Sequence, residues 1–208
     1  MSILEVYNEL VGDILVRRVN AGEISPYIQR QYNLYRNRFP GIDLTTFAAR
    51  TSNFNVTKSC PGQKAQLRVL SAFDPGITQL PGRGQNSIKL SKSEDGVTHI
   101  VESSSKSTIP GVKSFDAIRE YDDMFCFFIL KTVDLGGCSD NIGGGHQDNV
   151  ASEIDIMADS VRGKRLTFNG KLAKIFIVVD GRSNIVERYA GYNSANLIVT
   201  NCAGFCAQ

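Results

Sequence analysis

The stretch Met124–Val133 (MFCFFILKTV) constrains the fold of this chain more than any other. It is apolar almost throughout and carries one charge, Lys131, near its end. A strand this apolar belongs in the middle of a sheet, covered on both faces. A charge at its end is expensive to bury unless it is paired, so Lys131 needs an acidic neighbour. Residues 115–121 (FDAIREY) alternate apolar and polar as a half-buried strand does, and Asp122-Asp123 makes a turn. Folded as a hairpin about that turn, the two strands bring Asp116 and Lys131 to the same open end. The residues alone leave two readings. One is a buried structural ion pair. The other is a site in which the carboxylate supplies a hard oxygen to Mg²⁺, while the ammonium offsets phosphoryl charge or positions a water.

Beyond the apolar strand, residues 136–145 hold five glycines, and a helix is expected from about 147 to 161. Its N-terminus presents free backbone N–H groups that favour a phosphate. His146, Gln147 and Asn149 sit at that end, where they meet DNA or the active water. The run lacks the Gly-Lys-Ser/Thr ending of a P-loop, which excludes nucleotide hydrolysis and a nucleotide cofactor.

The stretch 115–150 resembles the PD-(D/E)xK nucleases, the restriction-endonuclease-like family, and the likeness extends over roughly residues 95–201. In that family a metal-binding Asp on one strand is followed, on the next, by an acid, any residue and a lysine. Asp116 stands as the first acid and Lys131 as the lysine, and residues 143–149 (GGGHQDN) are similar to a run found in several restriction enzymes. Two positions depart from the pattern. Ser114 replaces the proline, and Ile129 stands where the second acid belongs. Isoleucine cannot ligate a metal. Either the acid has moved onto the following helix, where Glu153 is the candidate, or to Asp134 just beyond the strand, a weaker candidate, or the chain binds DNA without cutting it. The resemblance implies a type II restriction endonuclease that hydrolyses double-stranded DNA with Mg²⁺, with Asp116, Lys131 and Glu153 as its catalytic residues. It also implies a homodimer on a two-fold target. The fold implied is α/β with α+β character: a mixed β-sheet flanked by helices, a restriction-endonuclease-like core behind a helical N-terminal region.

With 208 residues, a single domain is expected, divided into a helical and loop-rich region (1–94) for DNA recognition and a nuclease-like core (95–208). An apolar fraction of 42% with 21% charged residues excludes bulk disorder. No apolar run reaches the length of a transmembrane helix and the N-terminus does not read as a signal peptide, so a cytoplasmic protein without membrane contact is expected. Five cysteines, an odd number with one in the apolar strand, suit free thiols. Cys202 and Cys206 are the nearest to a metal pair, but no second pair or histidine accompanies them. Residues 1–115 carry 14 basic and 9 acidic side chains, residues 116–208 carry 9 and 12. That asymmetry suits a first half facing a polyanion and a second half gathering carboxylates, and a solvated surface explains it nearly as well.

In the first half, residues 2–19 have helical periodicity with a Ser2–Glu5 capping box. A second helix at 25–38 interleaves Arg30, Arg36 and Arg38 with three tyrosines, and 42–50 suits a third. Residues 65–73 fit a strand or a short helix. Residues 80–93 read as a loop in which Arg83 and Lys89 face guanine edges and Gln85 and Asn86 adenine edges, or as a plain surface loop. Residues 96–105 are expected to form the first strand of the core sheet, with Asp95 and Glu102 as a rival acid pair and His99 structural. A basic connection at 163–170, a second buried strand at 172–179, a helix at 183–192 and a short strand at 197–200 complete the pattern.

Overall fold

The computed structural model of the chain describes residues 2–7, 9, 10, 33, 61–81, 86–133, 144–181 and 183–207. Apart from Asn33, which is helical, the expected helices at 25–38 and 42–50 lie outside these residues. Helix α1 is Pro61–Phe73 and is followed by the short strand β1 (Thr78–Gln79). Strands β2 (Ser87–Lys92) and β3 (Thr98–Ser103) come next, then β4 (Ala117–Glu120) and β5 (Met124–Val133). Helix α2 (Gly144–Val161) leads to β6 (Thr167–Phe168) and β7 (Lys171–Gly181). Helix α3 (Ile185–Tyr189) runs into a 3₁₀ turn, and β8 (Leu197–Thr200) precedes α4 (Cys202–Cys206).

The apolar strand β5 lies in the middle of a mixed sheet. It pairs antiparallel with β4 across the expected hairpin and parallel with β7 along its whole length, from Met124↔Leu172 to Val133↔Gly181. Strand β1 extends the β4 side, while β6 and β8 share the far edge of β7. A parallel β5–β7 pair needs a crossover, and α2 falls within it. Where the two strands end together they approach closely. Gly181 has φ +114°, and a Cβ there would lie 1.9 Å from the Val133 carbonyl oxygen.

Alternation along β5 divides the interior into two layers. Phe125, Phe127, Ile129 and Val133 pack with Val150, Ile154, Met157 and Val161 of α2 and with Ile88, Leu90 and Ile100 of the β2–β3 ribbon. Cys126, Phe128 and Leu130 face the opposite way, against Ala65, Val69 and Leu70 of α1 and Cys202 and Phe205 of α4. Val6 and Tyr7, from the helical residues 3–7, join that second layer. Coverage on both faces is the physical reason for the unbroken apolar run. Phe127 and Phe128 are fully buried on opposite sides, each contributing roughly 2–3 kcal/mol by removal from water.

Of the two forms expected for residues 65–73, the helix is the one found. Several expectations are corrected. Lys89 lies in a strand, not in a loop: residues 87–92 form β2, which pairs with β3 from Ser87↔Ser103 to Lys92↔Thr98. Strand β3 is therefore not the first strand of the core sheet but half of a separate ribbon that covers it. The basic connection at 163–170 contains β6, and the expected helix at 183–192 divides into α3 and a 3₁₀ turn, Ala190–Tyr192. Helix α4, capped by the Asn201 side chain accepting from Gly204 N–H, was not expected. Among the described residues, no helix is long and apolar enough to cross a membrane.

Candidate functional site

The hairpin carries an irregularity at its open end. Ala117 pairs with Phe128, yet the Asp116 N–H also donates to the Phe128 carbonyl, at 2.8 Å. Two consecutive residues thus oppose one, the arrangement of a β-bulge, which re-aims side chains beside functional sites. Phe115 and Ile118 both pack in the α2-side layer while Ala117 faces α1, so the simple alternation fails here. Phe115 is held by stacking on Phe127, with centroids 4.8 Å apart, and by its N–H donating to Ile88 O. Between these anchors, Asp116 lies within electrostatic reach of Lys131, Glu153 and Lys113.

Helix α2 brings the second carboxylate. Val150, Ile154, Met157 and Val161 form its sheet-facing stripe, and Glu153 falls on that stripe between Val150 and Ile154. Glu153 is 7% exposed. Its Oε2 accepts from Lys131 Nζ at 2.8 Å, and Lys113 Nζ stands 3.6 Å from the same oxygen. Lys131 shares the α2 side of β5 with Ile129, so the helix meets the lysine directly. Ile129, which occupies the place of the strand acid, is 1% exposed in the core.

Each carboxylate has one oxygen fixed and one free. Asp116 Oδ2 accepts from the Leu130 N–H at 2.8 Å, and among the described residues its other oxygen makes no hydrogen bond. Among the described residues Glu153 Oε1 is buried with no hydrogen-bond partner. A buried carboxylate oxygen without a protein donor suits a cation or a water. Burial pushes the Asp116 carboxyl above its ordinary range, against the Leu130 N–H and the Lys131 ammonium, which pull it down, while the Glu153 charge adds to the rise. Two hard oxygens held at the edge of a core suit a divalent cation such as Mg²⁺, which keeps several waters and takes one or two protein carboxylates. Among the described residues no group of three or more His, Cys, Asp or Glu side chains gathers.

The opposite face of β5 holds the lysine's backbone in place. Gln66 of α1 is fully buried and donates through Nε2 to Lys131 O, Val178 O and Asp180 Oδ2. Gln63 donates to Leu130 O at 2.8 Å. The Asp180 carboxylate also accepts from the Cys202 N–H, tying α4 to the same strand end.

The fold thus pairs Lys131 with Glu153 and leaves Asp116 within electrostatic reach of both. Lys89 is not available to a base edge: it is 4% exposed, and its ammonium donates to Ser87 Oγ and Ser103 O. Asn86 and Asn149 are exposed. Arg83, Gln85 and Asp134 lie outside the described residues, as do the side chains of His146 and Gln147. The rival acids do not converge. Asp95 caps its own turn through Ser93 and the Val97 N–H, and Glu102 is exposed on β3. His99 bonds Ser93 Oγ at 3.0 Å. Cys202 is buried beside Asp180, and burial raises its thiol far above the range of a reactive or metal-binding cysteine. Lys113 was not anticipated, although a basic residue just ahead of the first acid was a signal in the sequence. Gln63 and Gln66 gave no signal, because their role depends on α1 lying across the end of β5.

Comparison with known proteins gives no match: no family model fits the chain, and neither a characterised protein nor a solved structure resembles it significantly.

Proposed function

We propose that this chain is a Mg²⁺-dependent DNA endonuclease of the type II restriction class, with a restriction-endonuclease-like core, acting as a cytoplasmic homodimer on double-stranded DNA. One observation carries the reading. Lys131 pairs with the buried Glu153 and Asp116 lies within electrostatic reach of both, while among the described residues one oxygen of Glu153 is buried without a hydrogen bond. The antiparallel hairpin, the helical crossover and the parallel strand behind it supply the frame that such a site needs.

Asp116 and Glu153 would hold the ion through their free oxygens. A bound Mg²⁺ would supply a Lewis acid for a phosphoryl oxygen and lower the pKa of an attacking water. Lys131, held against Glu153 Oε2, orients that water and stabilises the negative charge that grows on the phosphoryl oxygens. Asp116 keeps its place through the Leu130 N–H, so its free oxygen is preorganised. Glu153 fills the role of the acid that Ile129 cannot provide.

Digestion of high-molecular-weight genomic DNA, which contains every short target, tests the reading. Wild type with Mg²⁺ yields discrete fragments, while Lys131→Ala and Glu153→Gln lose roughly 10²-fold or more in rate, as the loss of a transition-state-stabilising group does. Equal cutting by all three proteins would remove these residues from the chemistry. Binding without cutting by wild type would favour a DNA-binding protein that keeps a nuclease fold.

A further inference from the structure

We infer that Lys113 is the phosphate-binding cation at the mouth of the site, the group that receives the DNA backbone before Lys131 acts on it. The nature of the anion rests on the nuclease reading; the presence of a second amine does not. Lys113 Nζ lies 3.6 Å from Glu153 Oε2, the oxygen that Lys131 already holds at 2.8 Å. The two amines differ in setting. The Lys131 side chain is 11% exposed and closes a short, buried pair, whereas the Lys113 side chain is 54% exposed at a longer distance. The inner pair satisfies itself, and the outer ammonium keeps its donors for a group arriving from solvent.

The local backbone fixes where that ammonium stands. Residues 109–112 form a turn closed by Val112 N–H donating to Ile109 O. Gly111 sits in it with φ +82°, and a Cβ there would press to 3.0 Å from Ile156 Cδ1 of α2. The turn is therefore seated on the helix that carries Glu153, and Lys113 follows it with its ammonium beside that carboxylate. Charge gives the same answer. Asp116, Glu153, Lys131 and Lys113 together are neutral, so a divalent cation leaves the mouth net positive and suited to a phosphodiester. A half-exposed lysine 3.6 Å from its carboxylate is held loosely enough to turn towards an arriving phosphate.

The test combines binding and turnover. Affinity for a short fluorescent duplex is measured in EDTA over a range of KCl for wild type, Lys113→Ala and Lys113→Arg, and kcat and KM for cleavage are measured with Mg²⁺. Lys113→Ala should bind several-fold more weakly at low salt, with the slope of log K against log[salt] shallower by about one. Lys113→Arg should restore the slope. In turnover, Lys113→Ala should raise KM with little change in kcat. An unchanged slope, or a fall in kcat at constant KM, overturns the inference, the latter because it marks a residue that only positions Glu153. If wild type fails to cleave while the slope still falls, Lys113 contacts the backbone and the nuclease reading fails instead.

Discussion

Lys131 Nζ lies 2.8 Å from Glu153 Oε2, joining the end of the central strand to the helix that crosses it. Both side chains are about nine-tenths buried, at 11% and 9% exposure. Such a pair is expensive to break from one side and nearly neutral to replace as a whole. Lys131→Met alone should therefore destabilise the fold by roughly 3 kcal/mol, by leaving Glu153 charged and buried with only the longer contact to Lys113. The double variant Lys131→Met, Glu153→Leu should recover most of that loss and remain inert on DNA. Urea denaturation measured beside a digest separates the two effects.

Ile129 stands where a strand-borne acid would be. At 1% exposure in the α2-side core, it is part of the packing. Ile129→Glu buries a carboxylate next to two others and should cost roughly 3 kcal/mol or more. On the proposed assignment Glu153 supplies the acid, so cleavage should not increase. A rise in activity with intact stability would show that the missing strand acid is the limiting defect.

Asp116 makes the site sensitive to pH. Its folded pKa is raised above the unfolded value of 3.8, chiefly by burial. For a carboxyl shifted this way, the protonated form favours the fold: the contribution is fully present below the unfolded pKa and is lost as pH rises through the folded pKa. Asp116→Asn, which keeps an acceptor for the Leu130 N–H, should thus raise Tm at neutral pH and have little effect well below pH 3.8. A divalent ion needs the ionised form, so stabilisation by Mg²⁺ should appear only above the raised pKa and vanish in the Asn variant. Thermal melts with Mg²⁺ and with EDTA across pH give both comparisons.

Gln66 controls the same strand end from the other side. Its Nε2 donates to the carbonyls of Lys131 and Val178 and to Asp180. Gln66→Leu would leave these buried acceptors short of a donor, and should cost roughly 2–3 kcal/mol. Cleavage should fall with it, because the backbone of Lys131 loses a fixed support. Full activity at a temperature where the variant remains folded would show that the lysine is held by the sheet alone.

The hairpin was legible because its signals are local. The Asp122-Asp123 turn and the alternating 115–121 strand place Asp116 beside the Lys131 strand without knowledge of the rest of the chain. Helix α2 and strand β7 were legible for the same reason, through their apolar periods. Strand β2 was not, because Ser87–Lys92 (SIKLSK) mixes polar residues into a segment next to Pro81 and Gly82, and its partner β3 is chosen by pairing. The buried Lys89 illustrates the consequence: its composition suggests a surface loop, while its place in the ribbon turns the ammonium onto Ser87 and Ser103.

By itself, the sequence determined that a covered central strand would end in a charge needing compensation, since dehydrating an ammonium is costly wherever the chain folds. The tertiary structure alone decided which acid meets that charge. The crossover lays α2 over the β5 face that carries Ile129 and Lys131, and the helical period then points Glu153 at the lysine. The bulge at Asp116 leaves its carboxylate within electrostatic reach of both. Those choices depend on the packing of distant segments, which no local pattern of residues encodes.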